Sequence, residues 1–313
     1  MPHQGIALVT PATMTAPPTS RFFYTAPGIR LHAKVAGPAD APVLLMVHGF
    51  PEFWFTWRHQ LAAFCDRYRC VAIDLRGFNL SSQPEAVGAY RPREMLADLC
   101  AVITQLGAPV EAVLAHDWGG ALCWSLAAQF PQLMRRLVIL NAPHTVPFAR
   151  ALAQDPQQQA AGQYMNQLRQ PGAEVALAAH QFASLRGMLG PLQLSDAEQA
   201  QYAACWRLGL RGGCNLYRAS PLHPDTPQQP GAMAQLVQQL RPDDFRVTVP
   251  TQVLWGMADP ALRPVLLEGL EALVPHVRVH RLPGAGHWIP HSHAEVVNPL
   301  IREFLNTPLE ALP

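Results

Sequence analysis

Ala115-His116-Asp117-Trp118-Gly119-Gly120 lies between a mostly apolar run, Val110 to Leu114, and a stretch that reads as a helix with small residues at its start, Ala121 to Phe130. The apolar run is long enough for a buried strand. A strand, a sharp turn bearing one exposed nucleophile and a helix opened by glycines make a nucleophile elbow. The glycines accept backbone angles that other residues resist, and they let neighbouring chain pack close. At the apex stands an aspartate, where a serine is the usual nucleophile. A serine would form an acyl-enzyme. A carboxylate is already an acyl group, so it displaces at an sp³ carbon and becomes an alkyl ester. That confines the chemistry to opening a strained cyclic ether or expelling a halide. Aspartate is also a favoured helix N-cap, so the elbow must be weighed with the rest of the chain.

Composition sets the outer bounds. At 313 residues, 49% hydrophobic and 14% charged, the chain predicts one large globular domain with an insertion, or two domains. A formal charge of +1 speaks against an electrostatic nucleic-acid or membrane partner, and no apolar stretch approaches a membrane span. Met1 to Ser20 has neither a basic n-region nor a compact apolar core, so it reads as a flexible, Pro- and Thr-rich tail instead of a signal peptide. The six cysteines, Cys65, Cys70, Cys100, Cys123, Cys205 and Cys214, show no CxxC spacing. They read as buried free thiols, which predicts a reducing, cytoplasmic setting. His287, His291 and His293 cluster in sequence without a paired ligand set on a helix. No metal and no cofactor is expected, and nothing in the sequence decides between monomer and homodimer.

Strand and helix patterns alternate through the first half. Arg21 to Tyr24 and Ile29 to Val35 predict an early strand pair, Val43 to Val47 a buried strand, Trp54 to Asp66 a helix, Tyr68 to Leu75 a strand and Arg93 to Leu106 a helix behind Pro92. The elbow follows, then the strand Arg136 to Leu140. This order implies an α/β fold, a mostly parallel sheet flanked by helices. From Thr145 to Phe245 the strands stop, with helical patterns at Gln163 to Leu168, Ala173 to Gly187 and Ser195 to Leu208. The rhythm resumes with Gln252 to Trp255, Pro264 to Leu273, Val277 to Leu282 and Glu295 to Leu305. The expected organisation is therefore a tail over 1–20, a core over 21–144 and 246–313, and an inserted helical cap over 145–245. Because the insertion follows the strand after the elbow, it is expected to form a lid over the nucleophile.

Three further signals fall at strand ends. Asp259 follows the strand ending at Trp255, and His287 follows the strand ending at Leu282. Nucleophile, acid, histidine is the chain order such a triad takes on this kind of sheet. The loop His48-Gly49-Phe50-Pro51 offers the Phe50 backbone N–H, which with that of Trp118 would form an oxyanion hole. Taken singly, Asp259 before Pro260 is an ordinary turn residue, and a lone histidine is often structural. Aromatic and apolar residues expected near the pocket (Trp54, Phe148, Leu216, Trp288, with His48 from the same loop) predict a small hydrophobic substrate.

The motifs HGFPE (His48 to Glu52), DLRGFNLSSQP (Asp74 to Pro84), HDWGG (His116 to Gly120), NLYR (Asn215 to Arg218) and GHW (Gly286 to Trp288) closely resemble those of the epoxide hydrolase family of the α/β-hydrolase fold. The similarity runs from about Phe22 to Leu305. It implies Asp117 as nucleophile, His287 as base, Asp259 as its partner and Tyr217 as a lid residue that hydrogen-bonds the epoxide oxygen. Family members usually supply a second lid tyrosine, for which Tyr164 is the nearest candidate. Gln167 could occupy that place, and Tyr202 is a weaker contender.

Other functions carry their own signatures. A haloalkane or haloacid dehalogenase would use the same Asp-His-Asp set. A halide could meet the Trp118 indole N–H, whereas a haloacid needs a cationic clamp that neither Trp118 nor Ala121 supplies. A non-catalytic ligand-binding protein on this fold would lack a triad member. A serine esterase would need a serine at the elbow, and Ser125 lies inside the following helix.

Overall fold

A computed structural model describes residues 16–190 and 192–312. Residues 1–15, most of the expected tail, lie outside this description. Thr19 and Ser20, expected in that tail, instead open the first strand.

Eight strands form one sheet: β1 (Thr19–Ala26), β2 (Ile29–Ala36), β3 (Val43–Val47), β4 (Arg69–Ile73), β5 (Ala112–His116), β6 (Leu137–Leu140), β7 (Thr251–Gly256) and β8 (Val277–Leu282). Their spatial order is β1-β2-β4-β3-β5-β6-β7-β8. The first two pairings are antiparallel and the rest parallel. β3, β5, β6 and β7 are buried at every residue, which is why they read as continuous apolar runs. The edge strand β1 is mostly exposed.

In chain order the helices are α1 (Arg58–Phe64), α2 (Pro92–Leu106), α3 (Asp117–Gln129), α4 (Thr145–Gln154), α5 (Pro156–Ala161), α6 (Gln163–Leu168), α7 (Ala173–Met188), α8 (Asp196–Arg207), α9 (Arg211–Ala219), α10 (Ala232–Gln239), α11 (Leu270–Leu273), α12 (Ile289–Ser292) and α13 (Ala294–Asn306). α2 and α3 cover one face through Leu99, Val102, Leu122 and Trp124. α1 and α13 cover the other through Leu61, Phe64, Ile301 and Phe304. The described residues between β6 and β7 hold α4 to α10 and no strand. No helix among the described residues is long and apolar enough to cross a membrane.

Three departures from the sequence pattern have local causes. The elbow strand runs over Ala112–His116 and not over Val110 to Leu114, because its register is set by parallel pairing with β3 (Leu44 to Ala112, Val47 to Ala115). α3 consequently begins at Asp117 itself. The stretch Pro264 to Leu273 divides into a 3₁₀ turn (Pro264–Leu267) and α11, parted at Gly269, whose φ is 72°. α7 is interrupted where His180, Gln181 and Phe182 take positive φ.

The loop after β4 is fixed by a buried ion pair. Arg76 makes two hydrogen bonds to Asp98 of α2, at 2.8 and 2.7 Å, and one to the Ala89 carbonyl. Thr25 of β1 also donates to Asp98. Removing Asp98 leaves an uncompensated buried guanidinium, so Asp98→Ala is expected to lower unfolding free energy by about 3–5 kcal/mol, measured by urea denaturation.

Candidate active site

The C-terminal ends of the parallel strands bring the candidate residues together. Asp117 turns sharply from β5 into α3 at a φ of 52°. For an L-residue this left-handed conformation is costly and persists only when its surroundings enforce it. Close backbone contact does so here. A Cβ on Gly119 would lie 2.3 Å from the Val47 carbonyl oxygen, and one on Gly49 would lie 2.0 Å from Asp117 Oδ1. The elbow therefore nests directly against the loop after β3.

That nesting points the Phe50 N–H at Asp117 Oδ1, 2.7 Å away, and the Trp118 N–H also bears on the carboxylate. The other carboxylate oxygen, Oδ2, lies 3.5 Å from His287 Nε2. His287 Nδ1 is 2.6 Å from Asp259 Oδ2. Asp259 is itself held by the N–H groups of Ala261 (2.8 Å) and Leu262 (2.9 Å) and by Asn141 Nδ2 (2.8 Å). Asn141 completes the junction by accepting the Gly256 N–H at 2.8 Å. Its role escaped the sequence, where Asn141-Ala142-Pro143 reads only as the end of a strand.

The three ionisable groups form a row with alternating charge. Burial pulls the His287 imidazole down, but Asp259 and Asp117 on its two sides outweigh burial and raise it to about 10. Burial raises both carboxyls, and the interactions with His287 more than reverse this, leaving Asp117 and Asp259 below their usual range. The resting site is thus carboxylate, imidazolium, carboxylate.

Across a narrow cavity stand Tyr164 of α6 and Tyr217 of α9, which line it with Asp117, Trp118, Phe148 and Leu262. The two phenol rings meet edge to face at 6.1 Å, and Tyr217 packs likewise on Trp118 at 5.0 Å. Burial, then neighbouring negative charge, pushes both phenols up, so each is a neutral donor at pH 7. The rivals for the second tyrosine's place stand elsewhere. Gln167 is exposed, and the Tyr202 hydroxyl donates to Glu52 at 2.8 Å.

Of the five residues expected to line the pocket, Phe148 alone does so. His48 is fully buried and braces loops: Nδ1 bonds the Gly49 carbonyl at 2.7 Å and Nε2 accepts the Leu75 N–H at 3.0 Å. Trp54 lies under the Lys34 ammonium, with its N–H on Asp74. Leu216 is buried in α9. Trp288 packs on His287 at 4.6 Å and donates from its indole to the Met188 carbonyl of the insertion at 2.8 Å. Of these four, Leu216 directly precedes a residue that lines the cavity, Tyr217.

Glu52 of HGFPE is a second surprise. Fully buried, it takes His291 at 2.6 Å, Thr56 and Tyr202, and lies 3.6 Å from His116. Burial works to raise this carboxyl, but the two histidines outweigh it and hold it well below the usual range. Glu52 thereby joins the loop of Phe50, the residue before the nucleophile and the helical insertion.

Residues 42–294 match the family model described as alpha/beta hydrolase fold. The "AB hydrolase superfamily protein YfhM" of Bacillus subtilis is 32% identical over 90% of this chain and 96% of its own. "Epoxide hydrolase 3" of Xenopus tropicalis is 32% identical over 89% and 75%. The chain belongs to the epoxide hydrolase family of α/β-hydrolases. A solved epoxide hydrolase of Bacillus megaterium in complex with an inhibitor superposes with a TM-score of 0.81, at 28% identity, covering 92% of this chain and 100% of that one. Like the family, this chain is a hydrolase whose mostly parallel sheet is flanked by helices.

The charge row makes a checkable statement. A histidine raised from its usual 6.5 to about 10 contributes stability that is complete below about pH 6.5 and is lost as pH rises through 10. Histidine ¹⁵N spectra are expected to show the His287 ring still protonated at pH 8, and Asp117→Asn is expected to lower its midpoint.

Proposed function

We propose that this protein converts a hydrophobic epoxide to a vicinal diol through an ester on Asp117. The observation that carries this reading is the division of labour between the two Asp117 oxygens. Oδ1 already occupies the oxyanion hole against the Phe50 N–H, which leaves Oδ2 as the attacking atom, in a cavity shared with two neutral phenols.

In the first step Oδ2 bonds to an epoxide carbon, the C–O bond breaks, and the departing oxygen takes a proton from Tyr217 or Tyr164. An alkoxide is more basic than a phenoxide, so the transfer runs in that direction. Esterification abolishes the Asp117 charge. One of the two carboxylates that hold His287 protonated is then gone, and the imidazole releases its proton at the moment a base is required. That proton balances the one supplied by the phenol. His287 then takes a proton from water, whose oxygen attacks the aspartyl Cγ, while Asp259 fixes the ring and stabilises the imidazolium. The oxyanion develops on Oδ1, where the N–H groups of Phe50 and Trp118 receive it. Collapse expels the diol, whose oxygen takes the proton from His287, and the proton left on the Asp117 carboxyl then passes to the imidazole and restores the starting state.

Among the described residues no Lys or Arg lines the cavity, which counts against a haloacid, whose carboxylate would need a cation. The paired phenols favour an oxygen leaving group over a halide. We further propose that residues 145–245 act as a cap domain and that the protein works in the cytoplasm, a setting that suits six free cysteines.

Single turnover in heavy-oxygen water with excess protein is expected to leave label in Asp117 and give unlabelled diol; label in the diol alone would exclude the ester. His287→Gln is expected to accumulate the ester, because alkylation needs no base, and peptide mass would show the adduct. Aryl epoxides are expected to turn over faster than short polar ones, given a cavity lined by Trp118, Phe148, Leu222 and Leu262; the reverse order would overturn the assignment of this cavity.

A further inference from the structure

The C-terminal ends of α6 and α9, the helices that carry the two phenols, are each held by an arginine from the other. Arg169, the residue after α6, donates from Nη1 to the Tyr217 carbonyl at 2.5 Å and the Ser220 carbonyl at 2.8 Å, at the end of α9. Arg218, in the last turn of α9, donates from Nε to the Arg169 carbonyl at 3.3 Å and from Nη2 to the Gln170 carbonyl at 2.7 Å, at the end of α6. The exchange is reciprocal. Helix C-terminal carbonyls lack intrahelical partners and carry partial negative charge, so a guanidinium is well matched to them.

Two details separate this arrangement from ordinary surface pairing. Arg169 has no carboxylate partner among the described residues, so its charge is met by carbonyls. Arg218 does have one, Glu174 at the start of α7, and a further bond from Nη1 to Asn215 at 2.9 Å, which lock the fork in plane. The clamp also lies close to the chemistry. Tyr217 directly precedes Arg218, and Tyr164 is five residues before Arg169, about 7 Å along a helix axis.

We propose that Arg169 and Arg218 are positioning residues that fix the separation of the Tyr217 and Tyr164 hydroxyls, and hence govern the ring-opening step. This rests on the reading that the two phenols serve the epoxide oxygen. The clamp touches neither His287 nor the oxyanion hole, so ester breakdown should not depend on it. A lysine keeps the charge but cannot span two carbonyls with fixed geometry.

Rapid-quench mass spectrometry of the Asp117 peptide after mixing with styrene oxide separates the two steps. Arg169→Lys and Arg218→Lys are each expected to slow ester formation roughly 10- to 100-fold, the effect of a misplacement of about 1 Å, and to leave the rate of ester breakdown unchanged. In a Tyr164→Phe background the Arg169→Lys penalty is expected to shrink, because both changes disable one device. Equal slowing of both steps, a full-rate ester formation in either folded variant, or full additivity with Tyr164→Phe would overturn the proposal. Absence of any ester in the unsubstituted protein would instead bring down the Asp117 reading, and the clamp with it. Should a lysine variant fail to fold, Glu174→Gln, which loosens the Arg218 fork without removing it, carries the same test with the same expected split.

Discussion

The approach of the nucleophile turn to the loop after β3 governs the rest of the site. Asp117 is held at positive φ because the elbow backbone at Gly119 packs on the Val47 carbonyl and the Asp117 side chain packs on Gly49. No side chain at Gly119 or Gly49 fits between them. The same contact that sustains the strained turn directs the Phe50 N–H onto Asp117 Oδ1. Strain and preorganisation are therefore one feature: the turn cannot relax without opening the oxyanion hole. The parallel sheet supplies the force, since β3 and β5 are neighbours in fixed register and their C-terminal ends must emerge side by side.

Electrostatics then act on this fixed geometry. Three ionisable groups lie in a row, with His287 between two carboxylates, and burial alone would leave none of them charged. Each is charged because its neighbours are. Such mutual dependence makes the row responsive: the loss of one charge changes the proton affinity of the next group. Asn141 and the N–H groups of Ala261 and Leu262 keep Asp259 in place throughout. Glu52 behind the nucleophile repeats the theme, a buried carboxylate sustained by His291 and approached by His116. It binds the helical insertion to the catalytic loop through Tyr202.

Much of the sheet was legible because buried parallel strands are apolar at every position, a pattern that solvent-facing elements cannot imitate. The meeting of Asp117, Asp259 and His287 was legible for a related reason. Asp117, Asp259 and His287 each follow such a strand, and strand ends on one sheet edge converge. The helical insertion was harder to read. α4, α5, α9 and α10 escaped the pattern; α9 begins with Arg211-Gly212-Gly213, a poor helix opening on intrinsic propensity. Its helicity comes from packing on the core and from the arginine bonds at its end. The pocket lining was misjudged for similar reasons. His48 and Leu216 belong to motifs and Trp54 closely follows one, but their side chains serve loops or core, whereas Met165, Leu222 and Leu262, which line the cavity, carry no signal in the sequence.

The sequence by itself determined the parallel α/β sheet, the place of the insertion and the positions of Asp117, Asp259 and His287, each after a strand, because periodicity and local turn chemistry are written into consecutive residues. Only the tertiary structure decided which tyrosine joins Tyr217. Tyr164, Gln167 and Tyr202 are all acceptable in helices, and the choice depends on how α6 and α8 rotate against a core far away in sequence. It likewise decided that His287 is held as an imidazolium, since its charge depends on the distances to Asp117 and Asp259, 170 and 28 residues away along the chain. Long-range packing fixes such distances, and no local pattern records them.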